Sequence, residues 1–223
     1  MICGLALLAS GQAFAATNTC LSIASAGWNT TTTWDSTTHT CGTVGVPTSA
    51  DDVTIAHTVT VDANAAAKKL TVNNGAILNF AVNTTPFTLS AGAGGIQNNG
   101  TFNATNAGAI TSAATNGGTH GLRNTGIFTM GSGTLNTSAS AGVGLENDGG
   151  STFTGGAGLI TAPSFRNGNS GAASFTVGSG GMTTANYMAN NGTIVLNGNL
   201  TLSGIIQAGA VTRASSYGNV KKR

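Results

Sequence analysis

From Asp51 onward, apolar residues alternate with Thr, Ser and Asn in runs of only a few residues, each bounded by Gly, Asn or Ala. The runs include VTI (53–55), TVTV (58–61), KLTV (69–72), AILNF (76–80) and PFTL (86–89). Alternation over so short a span is the pattern of a strand with one side buried, and the flanking residues are those that turns require. The pattern predicts an all-β chain with almost no helix, whose strands turn β-branched, Leu and Phe side chains inward.

A repeat organises these strands. An apolar-x-Asn triplet recurs as Ile96-Gln97-Asn98, Leu122-Arg123-Asn124, Leu145-Glu146-Asn147, Phe165-Arg166-Asn167 and Met188-Ala189-Asn190, at spacings of 26, 23, 20 and 23 residues. Gly100, Gly126, Gly149 and Gly192 stand two residues after the Asn, and the fourth copy is irregular, with Gly168 and Gly171. A strand follows each triplet (TFNA, IFTM, STFT, ASFTV, TIVL), and a further short strand lies between triplets (109–111, 134–136, 159–161, 182–184). A period near 23 residues is too short for a propeller blade but suits one coil of three strands and three turns. The expected fold is a single-stranded right-handed parallel β-helix (solenoid) of about seven coils of roughly 23 residues. At about 4.8 Å per coil it forms a rod about 34 Å long. Its hand is expected from the usual crossover preference, together with the resemblance given below. Stacking places Asn98, Asn124, Asn147, Asn167 and Asn190 in one inward ladder whose amides satisfy one another without a ligand. The nearby Gly supplies the positive φ of a tight corner.

The ends differ from the middle. Residues 1–15 (MICGLALLASGQAFA) read as a signal peptide, with an apolar core from Ile2 to Leu8 and Ala13-Phe14-Ala15 as the cleavage pattern. No Lys or Arg stands between Met1 and the apolar core, and the expectation is a start within a longer signal or a fragment. No later apolar run is long enough to hold the mature chain in a bilayer. Removing the signal discards Cys3 and leaves Cys20 and Cys41, an even pair suited to an oxidising compartment. Their bridge closes a loop of about 20 residues, stabilising by roughly 3 kcal/mol in the chain-entropy account. The division is therefore signal 1–15, disulfide-bearing N-terminal cap 16–50, β-helix 51–212 and polar tail 213–223.

Charge narrows the function. Charged residues are 6% of the chain, with a net charge of +2, against roughly 25% in ordinary soluble domains. This gives no electrostatic case for nucleic acid. Enzymes on parallel β-helices need paired carboxylates, or a carboxylate-bound metal beside a base. The acids here are Asp35, Asp51, Asp52, Asp62, Glu146 and Asp148; the first four belong to the cap and first coil. Glu146 and Asp148 flank Asn147 and are expected to face solvent, with Arg123, Glu146 and Arg166 stacking as an exposed charge ladder. His39, His57 and His120 have no metal-binding spacing. No enzyme activity and no cofactor are expected.

Residues 27–80 carry a resemblance. Trp28, Trp34, Gly45, Pro47, the Asp51-Asp52-Val53-Thr54-Ile55 strand, Val59, Val61, Leu70 and Gly75 match the opening of bacterial secreted parallel β-helix surface proteins. The Cys20–Cys41 bracket resembles the N-terminal region of pilus-associated surface proteins. The coils from Gly95 onward resemble passenger repeats of autotransporter and haemagglutinin-type adhesins. The resemblance implies an exported structural or adhesin-like module at the cell surface or outside the cell. Its partner would be a glycan or a host or neighbour-cell surface, and it would work alone or as part of a longer surface protein. Two alternatives stand: a carbohydrate-binding or carbohydrate-processing β-helix, and an ice- or surface-binding solenoid. For the last, Thr129, Thr154 and Thr176 follow the core Phe of successive coils, while coil lengths of 20 to 26 argue against a flat face.

Overall fold

The structure, a computed structural model, describes residues 18–42, 44–115, 120–207, 211–213 and 220–222, with backbone only from residue 205. The expected signal, residues 1–15, lies outside the described residues.

The chain winds as a parallel β-helix. Every strand pair is parallel, and a single 3-10 turn at Thr31–Thr33 is the one helical element among the described residues. Three faces run along the rod. The Asn face stacks Asp52–Ile55, residues 69–72 and 95–98, Leu122–Asn124, Leu145–Asn147, and residues 165–167 and 188–190. The Phe face is a separate sheet of nine strands. From Thr58–Val61 to Thr193–Leu196 it stacks seven strands, which span six full turns. The third face carries residues 65–67 and 88–91, Ala109–Ala114, Thr134–Ala139, residues 160–162 and 182–184, and Leu200–Leu202.

The Asn and third faces share long strands, Ala65–Val72, Thr88–Asn98, Ile160–Asn167 and Met182–Asn190, where the chain rounds the corner without leaving the sheet. Their pairings slip at Ala67/Lys69 and Ala162/Ser164, the local irregularity by which a bent strand stays paired. The Phe face shows no such slip. Along it the coil length runs from 19 residues (Phe175 to Ile194) to 26 (Phe102 to Phe128), yet the register is unbroken. The extra residues lie elsewhere in the coil. Unequal coil lengths therefore leave the register of this sheet intact.

The interior follows the alternation. Phe102, Phe128, Phe153 and Phe175 are fully buried and stack at centroid distances of 4.5, 4.8 and 4.5 Å. Phe165 joins from the Asn face, 4.5 Å from Phe175. Burying each such side chain contributes roughly 1.5–3 kcal/mol before ordering entropy.

The cap is more regular than its composition suggests. Thr19–Leu21 pairs with Asp52–Ile55, and Ala26–Gly27 with Thr58–Val61, so the ladders begin before Asp51. Trp28 and Trp34 join the core edge to face, 5.3 Å apart, with Trp34 Nε1 donating to Trp28 O at 2.8 Å. Cys20 and Cys41 form the expected disulfide, both buried. At the other end Val220–Lys222 pairs with Leu200–Leu202, so the ladder also enters residues 213–223, expected as a tail.

Glycine at the corners has a different role from the expected one. Of Gly100, Gly126, Gly149 and Gly192, only Gly149 has positive φ. At Gly126 a Cβ would lie 2.1 Å from Gly100 O, and at Gly192 2.3 Å from Ala173 O. There the residue is required because neighbouring backbones approach too closely for any side chain.

Candidate functional site

Three features distinguish the faces: an amide ladder, a buried charge cluster, and an uncharged outer surface. The ladder forms as expected. Asn98, Asn124, Asn147, Asn167 and Asn190 are all buried. Each Nδ2 donates to the Oδ1 of the next Asn, at 2.7, 2.8, 2.8 and 2.8 Å in chain order. The same nitrogen gives its second proton to a Phe-face carbonyl of the following coil: Ile127 O, Thr152 O, Ser174 O and Thr193 O. Ser151 Oγ adds a bond to Asn147 Oδ1. Asn98 opens the row opposite Val72, and its Oδ1 is buried without a partner. From Asn124 to Asn167 these amides satisfy each other through both their oxygens and their nitrogens.

Arg123, Glu146 and Arg166 are also in register, as expected. Their exposure is not. Glu146 is 1% and Asp148 0% exposed, which corrects the solvent-facing assignment. Arg123 Nε meets Glu146 Oε1 at 3.2 Å, and Arg166 Nη1 meets Oε2 at 3.3 Å. His120 Nε2 reaches Oε2 at 2.9 Å from the turn before Leu122. Arg123 also bonds Asp148 Oδ2 at 3.2 Å, and Ser170 donates its N–H and hydroxyl to the same carboxylate. Glu146 points outward, as the alternation requires, but cations from both adjacent coils and a turn cover it. His120 and Ser170 could not be assigned to the cluster from the triplet spacing, because they enter from turns of variable length.

Burial opposes the charge on Glu146. The hydrogen bond and charge of His120, with Arg166 and Arg123, outweigh that cost and hold its carboxyl below the ordinary range. Asp148 behaves alike: burial raises its pKa, while the Ser170 N–H and hydroxyl, the Gly149 N–H and Arg123 lower it further. Both carboxylates are ionised at neutral pH with their oxygens engaged. Neither has the raised pKa that a general acid in glycoside hydrolysis needs.

In the cap, Asp35 accepts hydrogen bonds from the Thr38 and Thr37 hydroxyls, His39 and the Thr37 N–H, which hold its carboxyl well below the usual range. Asp51 accepts from the Thr48 N–H and hydroxyl, both at 2.7 Å, as expected of an Asp at a turn entering a strand. Among the described residues no group of three or more His, Cys, Asp or Glu side chains is placed to share a metal ion. A shallow depression of about 280 Å³ lies on the third face, where pairing stops after Asn136↔Thr161 and Pro163 follows. Thr137, Ala162 and Thr183 are among its lining residues, and Thr137 Oγ1 is buried without a partner.

The outer surface of the Phe face carries two columns. One reads Thr58, Ile77, Thr101, Ile127, Thr152, Ser174, Thr193; the other reads Thr60, Asn79, Asn103, Thr129, Thr154, Thr176, Val195. None is charged, and none is aromatic.

No family model, curated protein or solved structure matches the chain.

Proposed function

We propose that the chain is an exported, adhesin-like β-helix module, acting at the cell surface or outside the cell by presenting its faces rather than by catalysis. The observation that carries this reading is the Cys20–Cys41 disulfide, which ties the first strand to the cap loop. Such bridges persist in oxidising compartments and are rare in the cytosol. The buried carboxylates add support: Glu146 and Asp148 are committed to Arg123, Arg166, His120 and Ser170 and serve the coil stack. The partner class is a glycan or a host or neighbouring cell surface.

The test is production in a bacterium of the full chain and of a variant lacking residues 1–15. The full chain should reach the periplasm or medium with Cys20 and Cys41 refractory to alkylation until reduced, and the shortened one should stay in the cytosol. A full chain that remains cytosolic, with both thiols alkylated directly, overturns the export reading. Release of reducing ends from any of a panel of polysaccharides by the exported protein overturns the non-catalytic part.

A further inference from the structure

The Phe face differs from the rest of the rod in four respects that bear on what it can touch. Its strands form a sheet of their own whose register is continuous over seven strands, whereas the other two faces share strands that slip at the corner between them. It is backed by a rigid column of stacked rings, Phe102 to Phe175. No charged side chain stands in either outward column, although Lys69, Arg123, Glu146 and Arg166 occupy outward positions of the Asn face. Eight of its fourteen outward positions are Thr: 58, 60, 101, 129, 152, 154, 176 and 193.

Each Thr presents a hydroxyl and a methyl together. The hydroxyl both donates and accepts a hydrogen bond, as a water does, while the methyl restrains the orientation of first-shell water. The outward residues form a grid, with rungs about 4.8 Å apart and alternate residues along a strand about 6.7 Å apart. Both repeats are on the scale of the oxygen rows on hexagonal ice. A charged side chain would hold a hydration shell incompatible with that lattice, and the face has none. A crystalline sugar polymer is the other neutral periodic surface to weigh. Recognition of sugar rings favours exposed aromatic platforms with an apolar body and a polar tip, and every Phe of this sheet points inward.

We propose that the Phe face is an ice-binding surface, the two Thr-rich columns holding a layer of water ordered enough to merge with the crystal. This inference concerns one face of the rod and stands independently of export or adhesion.

The experiment uses the full chain with its disulfide formed, labelled with a fluorophore and equilibrated with a slowly growing ice hemisphere. The wild-type chain should be incorporated into the ice and should inhibit recrystallisation of fine-grained ice. Thr154→Tyr, in the middle of the face, should abolish both while leaving the circular dichroism spectrum and melting temperature unchanged. Thr111→Tyr, exposed on the third face, should leave both intact. Exclusion of the wild-type chain from ice overturns the proposal, as does incorporation that survives Thr154→Tyr, or that Thr111→Tyr abolishes equally. Exclusion from ice with retention on microcrystalline cellulose or chitin overturns it in favour of a neutral polysaccharide. None of these outcomes bears on whether residues 1–15 direct export, so the two readings fail separately.

Discussion

The Asn face and the Phe face are stacked by the same coils, yet they solve different problems. On the Asn face polar groups are taken out of water and must be matched: an amide row inside, and an ionic cluster under Arg123, Arg166 and His120 outside. On the Phe face nothing polar is buried in the core columns, and the outer surface is left uncharged. The comparison teaches that coil-length variation is absorbed where the chain turns between faces, so that both faces keep their register along the rod.

The largest expected effect comes from the Phe side. Phe153→Ala removes the ring stacked between Phe128 and Phe175 and should cost about 3–5 kcal/mol. Amide hydrogen exchange should show the loss concentrated in the two adjacent coils, since each coil touches only its neighbours. Even loss of protection along the rod would contradict this view of the stack.

Next comes the ladder. Asn147→Ala takes a partner from Asn124 Nδ2, Asn167 Oδ1 and Ser151 Oγ and should cost about 1–3 kcal/mol in urea unfolding. Asn98→Ala should cost less, because the Asn98 acceptor is already unpaired. Equal costs would mean that the amides act singly rather than as a row.

The ionic cluster should matter less, because Arg123 and Arg166 can rehydrate. Glu146→Gln should destabilise by about 1 kcal/mol near neutral pH. The sign with pH follows from the lowered carboxyl. The unfolded chain takes up protons first, so the contribution of Glu146 is present above its unfolded pKa of about 4.3 and is lost as pH falls through the folded value. A melting series toward acid should therefore show a smaller fall for Glu146→Gln than for the parent, with Asp148 supplying the remainder. Smallest of all is Thr154→Val on the open surface, expected within about 0.5 kcal/mol of the parent. A larger change in thermal melting would show that the outer column supports the fold.

Much of this was legible in the sequence. The apolar-x-Asn triplets marked the ladder because a buried amide recurs only where its counterpart stacks on it, and the structure places all five in one row. The disulfide was legible because the expected removal of residues 1–15 leaves Cys20 and Cys41 as an even pair. Alternation also set the direction of Glu146 correctly. It could not reveal that Glu146 and Asp148 are closed over, because His120, which meets Glu146, and Ser170, which meets Asp148, come from turns whose lengths vary. The corner glycines were assigned to backbone conformation, whereas at Gly126 the demand comes from the carbonyl of Gly100, a contact between coils that no local pattern contains. The cap concealed strands at Thr19–Leu21 and Ala26–Gly27 because its Thr-rich stretches lack alternation long enough to show.

The Asn row has a direction. From Asn98 to Asn167 every amide donates to the coil that follows, to the next amide and to a backbone carbonyl, and Asn124 and Asn167 add longer contacts to Gly126 O and Ala173 O of their own coil. A chain wound from its N-terminus therefore carries at its growing end an amide whose donors await a coil not yet laid down. Each finished turn is a template with unfilled valences pointing forward, and the next turn is drawn to one register by two bonds. The row is in this sense polar along the rod axis, its donors aimed toward the C-terminal coils.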